Sequence, residues 1–281
     1  MPELPEVETI MRGLEPALIG KQVERLVLNR SNLRYPITPT LPGDLAGAVI
    51  ETLQRRGKYI LCFTQGGAGF VLHLGMSGVI KVLEASADYA PAKHDHVIFY
   101  MSSGERIIFN DARRFGFLIA AQRDGWDRIA PFDKMGPEPL GNGFHGQVLY
   151  QALQKRKSEI KVALLDQHVV AGLGNIYVCE ALYRARISPN RSVCDVSAAE
   201  CEVLVGVIKD VLQEAIEAGG SSLRDYRNTK GKMGYFQASF GVYDRSCAPC
   251  PDCNCNTEET GGVKKITQGG RSTFFCEQLQ K

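Results

Sequence analysis

The sequence has no long apolar run. None of its segments approaches the roughly 18 consecutive apolar residues that a membrane-spanning helix needs, and the first twenty residues carry several glutamates, which argues against a secretory signal or a transit peptide. A strong net charge is also missing, because 33 Lys and Arg residues against 31 Asp and Glu residues leave only +2. Internal repeats and low-complexity tracts are absent, which argues against a solenoid. We therefore expect a cytoplasmic chain whose thiols stay reduced.

Composition and the placement of basic residues indicate a globular protein with a site for phosphates. Hydrophobic residues make up 44% and charged residues 23% of the 281 residues, which is enough for two compact domains of roughly 100–150 residues each. Basic clusters recur in "RRGK" (55–58), "ARRFG" (112–116) and "QKRKSEIK" (154–161). Scattered surface charge explains any one cluster, but three together indicate a track for phosphate groups.

The first half of the chain predicts one helix followed by strands. In "EVETIMRGLEPAL", the apolar residues from Val7 to Leu14 recur at helical spacing and form one face. Eight β-rich runs follow, separated by Gly, Ser and Asn: "VERLVL", "AVIETLQ", "YILCFT", "GFVLHL", "VIKVL", "HVIFYM", "RIIFN" and "FGFLIAA". Short strands at this spacing predict a β-sandwich over 1–133. Pro and Gly then cluster without periodicity, so we place an interdomain linker at 134–148.

The second half is helical at first. The runs "KSEIKVALLDQ" (157–167) and "AAECEVLVGVIKDVLQEAIEAGG" (198–220) have the 3.6-residue apolar period, and the second ends at glycines typical of a helix C-cap. Between them, glycines precede Asn175 at the start of an apolar-periodic run, which would present backbone amides and the asparagine amide to an anion. A tight turn between two core helices is the alternative interpretation.

The tail is rich in cysteine: five of the nine cysteines lie between 247 and 276. In a cytoplasmic chain, clustered Cys-x-x-Cys spacing indicates zinc rather than disulfides, because the metal stabilises thiolates and a small hairpin has little core of its own. A redox-active pair is the alternative. Four isolated cysteines occupy apolar or helical runs and are expected to fill the core: Cys62, Cys179, Cys194 and Cys201.

Seven motifs, in order from residue 1 to the end of the chain, resemble those of a known family. They are "MPELPEVET" (1–9), "HLGMSG" (73–78), "KHDH" (93–96), "DARRFG" (111–116), "GLGNIY" (172–177), "GYFQ" (234–237) and "GRSTFFC" (270–276). In these motifs the sequence resembles the bacterial formamidopyrimidine-DNA glycosylases, which remove oxidised purines such as 8-oxoguanine and formamidopyrimidines from duplex DNA in base excision repair.

The resemblance implies an α+β multidomain fold. Its parts would be an N-terminal β-sandwich with flanking helices, a helical helix-two-turn-helix domain over 149–240 that includes a lesion flap at 221–237, and a zinc-finger-like β-hairpin over 241–281. DNA would be held between the two halves of the protein.

The resemblance also implies a covalent mechanism that begins at Pro2. Once Met1 is removed, Pro2 presents a secondary α-amine, and an α-amine loses its proton closer to neutral pH than a lysine does. Its attack on the sugar expels the damaged base and leaves a Schiff base, from which β,δ-elimination cuts the strand. The matching residues are Pro2 as nucleophile, Glu3 as acid, Glu6 in a supporting role, and Lys58 and Arg271 for the first and second elimination.

Further matches concern DNA binding. Family positions that contact the DNA backbone or the local duplex are matched by His73, His94, Arg113, Arg156 and Asn175. Arg156 stands where some members have lysine, which keeps the charge. Residues that fill the space left by an extruded nucleotide, and so offset part of the lost stacking, are matched by Met76, Arg113 and Phe115. Burial in the sandwich core is the alternative for Met76 and Phe115.

The implied zinc site, for one structural ion, departs from the family pattern. Cys250, Cys253 and Cys276 match three ligands, but Leu279 stands in place of the fourth cysteine and cannot bind zinc. Either Cys255 or Cys247 replaces it, or the hairpin holds no metal.

The resulting hypothesis is a monomeric, bifunctional DNA glycosylase and AP lyase that acts on damaged double-stranded DNA in the bacterial cytoplasm, at the nucleoid. One alternative is an oxidised-pyrimidine glycosylase of the same superfamily, which would be expected to begin with "PEGPE" and to lack the flap. The other is a catalytically silent DNA-binding zinc protein. The presence together of Pro2, Glu3, Lys58 and Arg271 argues against silence.

Overall fold

The chain folds into two compact units that interleave along the sequence. The computed structural model describes residues 1–222, 226–254 and 256–281. The first unit comprises Met1–Asp133 and Ile216–Gln237, and the second comprises Lys134–Ala215 and Ala238–Lys281. The segment from Ile216 to Gln237 thus groups with the N-terminal residues, whereas the division proposed from the sequence follows chain order. That division remains a proposal.

The first unit is a β-sandwich preceded by helix α1 (Leu4–Leu18). Its strands are β1 (Val23–Leu28), β2 (Ile50–Arg56), β3 (Tyr59–Thr64), β4 (Ala68–His73), β5 (Val79–Leu83), β6 (Asp95–Met101), β7 (Arg106–Asn110) and β8 (Phe117–Gln122), and the short helix α2 (Leu41–Leu45) follows β1. The eight strands form two antiparallel four-stranded sheets, ordered β1-β6-β7-β5 and β2-β3-β4-β8. Each β-rich run of the sequence overlaps one of these strands, so the predicted sandwich is confirmed.

One apolar core joins the two sheets and α1. Side chains alternate between the two faces of a strand, so Val97 and Phe99 of β6 lie on the same inner face and are buried. Phe99 meets Phe70 of the other sheet with ring centroids 5.2 Å apart. Ile10 and Leu14 of α1 belong to the same cluster. Each fully buried side chain of this size contributes roughly 1.5–3 kcal/mol, so the sandwich is a stable support for its loops.

The second unit is helical and ends in a β-hairpin. Its elements are α3 (Gly146–Gln154), α4 (Ile160–Leu165), α5 (Asn175–Arg184), most of α6 (Ala198–Glu217), α7 (Thr257–Thr260), β9 (Lys264–Gln268) and β10 (Arg271–Phe275). Strands β9 and β10 pair in antiparallel register. A mainly helical region followed by a small hairpin agrees with the expected fold class.

Two helical segments differ from the sequence prediction. Helix α3 begins at Gly146, inside the range assigned to the linker. The helix expected over 157–167 is confined to α4, because the Ser158 carbonyl accepts the Val193 N–H at 3.1 Å and the Ile160 N–H donates to the Arg191 carbonyl at 2.8 Å. These backbone bonds compete with the first helical turn, and the apolar period carries no sign of them.

Three of the four isolated cysteines are core residues as expected, since Cys62, Cys179 and Cys201 are buried. The expectation for Cys194 is wrong, because this side chain is exposed. It lies in a short 3-10 turn in which Val193 is the buried residue.

The sequence predicts that the chain has no membrane-spanning helix, and the lengths and compositions of the helices can be compared with this prediction. None of the helices in the described part of the chain combines the length and the apolar character that crossing a membrane requires.

Candidate active site

The N-terminus is held at the start of helix α1. Pro2 and Glu3 are buried, and Glu3 is the extended residue that precedes the helix. The Glu3 N–H donates to Oε2 of Glu6 at 2.8 Å. Because the positive end of a helix favours an acidic residue in its first turn, Glu6 is both a cap and a fixed acceptor. The peptide that joins Pro2 to Glu3 is thereby held in one orientation.

Lys58 lies in the two-residue turn between β2 and β3. Gly57 precedes it with a φ of +56°, a backbone region in which glycine is favoured. The guanidinium of Arg55 donates to Oε2 of Glu8 at 2.7 Å and to the Gly57 carbonyl at 3.1 Å. Since Glu8 is on α1, this side chain ties the Lys58 turn to the helix that begins at the N-terminus. Lys58 is itself buried, with 8% of its surface exposed.

His73, the last residue of β4, is neutral at physiological pH. Burial lowers the pKa of its imidazole to about 4, with further lowering by the charges of Lys58 and Arg34 and an opposing contribution from Asp111. The ring stacks on Phe117 with centroids 5.2 Å apart. Its Nδ1 accepts the Gly75 N–H at 3.1 Å, so the proton of the neutral ring is on Nε2. The ring therefore offers one N–H donor, of the kind that binds an anionic oxygen.

A buried aspartate joins two loops of the first unit. Asp111 has no exposed surface; its Oδ1 accepts the Ser77 hydroxyl at 2.7 Å and its Oδ2 accepts the Gly116 N–H at 2.8 Å. The Ser77 hydroxyl oxygen in turn accepts the Arg113 N–H at 3.2 Å. The loops 74–78 and 111–116 are consequently one connected structure.

These joined loops expose two large apolar side chains. Met76 is 41% exposed and Phe115 is 44% exposed, so the alternative that they fill the sandwich core is wrong. The Arg113 guanidinium lies over the Phe115 ring, 4.8 Å from its centroid. A cation and two apolar side chains are thus presented together to solvent.

His94 belongs to the same region of the first unit. The Asp111 N–H donates to the His94 carbonyl at 3.1 Å, and the His94 ring lies 6.1 Å from the ring of His96. His96 is buried and its Nε2 is 2.9 Å from the Asp111 carbonyl. The backbone around His94 is therefore organised by the aspartate that joins the two loops.

In the second unit, Asn175 bonds to the hairpin. It is the first residue of α5, and its Nδ2 donates to the Ser272 carbonyl at 2.7 Å. Arg271, the residue before Ser272, is exposed at the start of β10. Its partner in the strand register is Gln268, which is buried and donates from Nε2 to Oε2 of Glu159 at 2.7 Å. The hairpin tip is thus fixed from two sides beside Arg271.

Arg156 is paired with a carboxylate. Its Nη2 is 2.8 Å from Oδ2 of Asp166, and Oδ1 of the same aspartate lies 2.8 Å from Nδ1 of His168. A phosphate contact by Arg156 would therefore compete with an existing ion pair.

Three cysteines of the tail lie together. The Cys276 sulfur is 3.4 Å from that of Cys250 and 3.9 Å from that of Cys253, and all three lie within 4.8 Å of one another. Burial raises the pKa of the Cys250 thiol, but hydrogen bonds from neighbouring side chains, first that of Cys276, lower it below its ordinary value. This trio could hold a metal ion. Cys247 is exposed and outside the cluster among the described residues, and Cys255 lies outside the described residues.

Two organising acids had no role in the sequence analysis: Asp111 and Glu180. Glu180 is fully buried in α5 and accepts the N–H groups of Gly241, Val242 and Tyr243 at 2.8, 3.0 and 2.7 Å. The sequence does indicate a buried role for Glu180, because this acid lies inside the apolar run "NIYVCEALYRA". Buried acids usually have partners.

Acidification should destabilise the first unit through His73. Because its folded pKa is about 4 and its ordinary value is 6.5, the folded state binds fewer protons between these values, and stability is lost as the pH falls through this window. Between pH 7 and pH 5 we expect a loss of about 2 kcal/mol of unfolding free energy in the wild type. The His73→Asn variant should lose much less stability over the same pH range, because asparagine does not titrate and its amide oxygen can still accept the Gly75 N–H.

The measurement uses urea unfolding at the two pH values. Trp126 is the single tryptophan and belongs to the first unit, so its fluorescence reports on the unit that contains His73. Equal losses of stability in the wild type and in His73→Asn would contradict the assignment.

The chain is similar to known proteins over its whole length. The family model of the formamidopyrimidine-DNA glycosylase N-terminal domain matches residues 1–118. The family model of the formamidopyrimidine-DNA glycosylase H2TH domain matches residues 135–227. The formamidopyrimidine-DNA glycosylase of Rhodospirillum rubrum is 50% identical over 281 residues, and that of Ruegeria pomeroyi is 49% identical over 287 residues; both alignments cover 100% of each chain.

Solved structures give the same result. The MutM (Fpg) protein of Thermus thermophilus is 36% identical with a TM-score of 0.86, over 99% of this chain and 98% of that one. The Lactococcus lactis Fpg protein, in complex with DNA containing N7-benzyl-Fapy-dG, is 32% identical with a TM-score of 0.88 over 100% of both chains. With its seven motifs, its sandwich and its hairpin in this agreement, the chain belongs to the formamidopyrimidine-DNA glycosylase family.

Proposed function

We propose that this protein is a bifunctional DNA glycosylase and AP lyase that excises oxidised purines, namely 8-oxoguanine and formamidopyrimidines, from duplex DNA. The observation that carries the proposal is the buried N-terminus, where Glu6 holds the peptide between Pro2 and Glu3. The name of the relatives and the damaged DNA in the Lactococcus lactis complex support it. The protein acts as a monomer in the cytoplasm, within base excision repair.

The nucleophile is the amine of Pro2 after removal of Met1. Its lone pair attacks C1′ of the damaged nucleotide, the C1′–N bond breaks, and the base leaves with a proton from an acid. The proline nitrogen then loses its proton, O4′ takes up a proton as the C1′–O4′ bond breaks, and the opened sugar is a cationic iminium between C1′ and the proline nitrogen. A secondary amine suits this step, because its iminium has no N–H proton to lose and stays charged. Glu3, next in the chain and shielded from solvent, supplies the acid.

The iminium then makes the C2′ proton acidic. Loss of that proton expels the phosphate on the 3′ side, and a second elimination expels the phosphate on the 5′ side. Lys58 serves the first proton transfer and Arg271 the second. The buried position of Lys58 in a turn tied to α1, and the exposed position of Arg271 beside an anchored hairpin tip, support these roles. Both cations also neutralise phosphate charge.

DNA binding is assigned to the residues around these groups. His73 donates its Nε2 proton to a phosphate oxygen, and the contacts proposed for His94, Arg156 and Asn175 follow the family positions. Arg113, Met76 and Phe115 enter the space left by the extruded nucleotide. Their joint exposure on two connected loops supports this role. In the segment proposed as a lesion flap, Tyr235 and Met233 are exposed.

One zinc ion is proposed for the hairpin, bound by Cys250, Cys253, Cys276 and Cys255. Four sulfurs around zinc at about 2.3 Å lie roughly 3.8 Å apart, and the separations of 3.4 and 3.9 Å from Cys276 to the two other sulfurs fit this arrangement. Thiolates are the ligands that structural zinc prefers. The ion would supply folding free energy to a hairpin with little core. Cys247, the other candidate, is not favoured because it is exposed.

Borohydride trapping on an 8-oxoguanine duplex tests the proposed function. Reduction of the iminium should join the Met1-processed protein covalently to DNA, and peptide mass spectrometry should locate the adduct on Pro2. Pro2→Gly with an acetylated terminus should give no adduct, because its α-nitrogen cannot attack. A catalytically silent DNA-binding protein would bind without trapping. An adduct on a lysine would overturn the assignment of the nucleophile.

Phe115→Ala should slow base excision more than strand cleavage. Removing the exposed ring loses part of the free energy that offsets unstacking, and about 1.4 kcal/mol of it would slow excision of 8-oxoguanine about tenfold. Cleavage at a preformed abasic site should change by less than about twofold, since no base has to be extruded. Ile129→Ala is the control, because Ile129 is similarly exposed, at 45%, in the same unit. Equal slowing of both reactions by Phe115→Ala would contradict the role.

Zinc content tests the proposed metal site. Protein purified without added metal should contain about one equivalent of zinc, and Cys255→Ser and Cys276→Ser should each lose most of it, because both remove a thiolate ligand. Cys247→Ser should retain the metal and serves as the matched control. A wild-type protein with less than about a tenth of an equivalent and full activity would rule out the site.

A further inference from the structure

The residues that begin the proposed flap are bonded to Glu6. The Ser221 N–H donates to Oε1 of Glu6 at 2.7 Å, across a separation of 215 residues in the sequence. Gly220 has a φ of +82°, and a Cβ at this position would lie 3.0 Å from the same Oε1 and 3.1 Å from the Tyr226 ring. The close approach of this backbone to Glu6 therefore depends on glycine.

The second oxygen of the same carboxylate holds the peptide that follows Pro2, the proposed nucleophile. Oε2 of Glu6 accepts the Glu3 N–H at 2.8 Å, and the nitrogen of that peptide is bonded to the carbonyl carbon of Pro2. Glu6 is 2% exposed, so water has little access to compete for either oxygen. Because the two oxygens belong to one planar group, a displacement of Ser221 is transmitted to the peptide beside Pro2.

Further bonds make the start of the segment continuous with its end. The Tyr226 hydroxyl donates to the Gly219 carbonyl at 3.1 Å. The Ser222 hydroxyl donates to the Tyr226 carbonyl at 2.9 Å and accepts the Gly234 N–H at 2.9 Å. The described residues 219–222 and 226–237 are thus connected, and an object that displaces the outer part of the segment acts on Ser221.

Resting on the proposed function, we infer that Glu6 is a positioning residue that couples the base of the flap, residues 220–222, to the orientation of the Pro2 amine. The amine is aligned for attack when Gly220 and Ser221 lie against Oε1 of Glu6. The flap therefore controls the nucleophile in addition to any contact it makes with an extruded base. A damaged nucleotide that displaces the flap base would misalign the amine and escape cleavage.

The test compares alanine variants of two neighbouring glycines in their reaction with abasic-site DNA, which has no damaged base for the flap to contact. Gly220→Ala and Gly219→Ala share the strain of a positive φ, +82° and +77°, but a Cβ on Gly219 meets nothing closer than the Gly234 Cα at 3.8 Å. On an abasic-site duplex at saturating enzyme, Gly220→Ala should slow single-turnover borohydride trapping at least about tenfold and Gly219→Ala by less than about twofold. A role limited to base contact predicts no difference between the two variants on this DNA.

Glu6→Gln provides a second test that adds no backbone strain. Its side chain keeps one acceptor oxygen and presents an NH₂ donor to the other N–H, so one of the two bonds is lost. This variant should also slow trapping, and adding Gly220→Ala to it should slow trapping by less than about a further twofold, because the coupling is already broken. Thermal unfolding followed by Trp126 fluorescence checks that the first unit is folded in each variant.

The outcomes separate the two proposals. If the wild type does not trap on the abasic duplex, the proposed function is wrong and the inference with it. If the wild type traps, the inference alone is overturned when Gly220→Ala behaves like Gly219→Ala, or when its effect multiplies fully with that of Glu6→Gln. Should Gly220→Ala fail to fold, unchanged trapping by Glu6→Gln would still refute the coupling.

Discussion

The arrangement of the candidate site depends on a buried carboxylate, that of Glu6, whose two oxygens each accept a backbone N–H group. An ionised carboxylate taken out of water without partners costs several kcal/mol, so a stable fold must bring donors to it. Glu6 receives one donor from the residue after Pro2 and another from Ser221. The N-terminus, which would otherwise be expected to fray, is held by the first of these two bonds.

The same constraint acts in both units. Asp111 joins two loops of the first unit through the Ser77 hydroxyl and the Gly116 N–H. In the second unit, Glu180 accepts three successive N–H groups from Gly241 to Tyr243 and fixes that stretch to α5. Loops cannot pair their backbone groups as strands do. A buried acid supplies the missing acceptors and gives irregular segments one conformation, which residues that act on a ligand require.

Hydrophobic periodicity predicts the strands and the long helix α6, but it does not predict where every helix begins or how the elements are connected. Each β-rich run overlaps a strand, because strands on a shared core carry β-branched and aromatic residues that can be recognised locally in the sequence. The helix expected over 157–167 was shortened by backbone bonds to residues 191–193, which no local pattern encodes. For the site, the motifs named the acids and bases but not Asp111 or Glu180 as their supports. The exposure of Met76 and Phe115 was likewise undecided, because apolar residues occur on surfaces as well as in cores.

At position 279 the chain has leucine where the sequence resemblance implies a cysteine, and the residues around Leu279 make contacts that do not involve a metal. Leu279 packs, partly buried, against the apolar cluster that contains Cys250 and Cys276, so this side chain makes apolar contacts at the position where the sequence resemblance implies a cysteine. The next residue, Gln280, accepts the Cys276 N–H at 2.8 Å and donates to the Ile187 carbonyl at 2.9 Å. These bonds attach the end of β10 to the helical part of the second unit without any metal. Since Arg271 begins the same strand, its support is shared between the cysteine cluster and the C-terminal residues, and the loss of one cysteine need not release it.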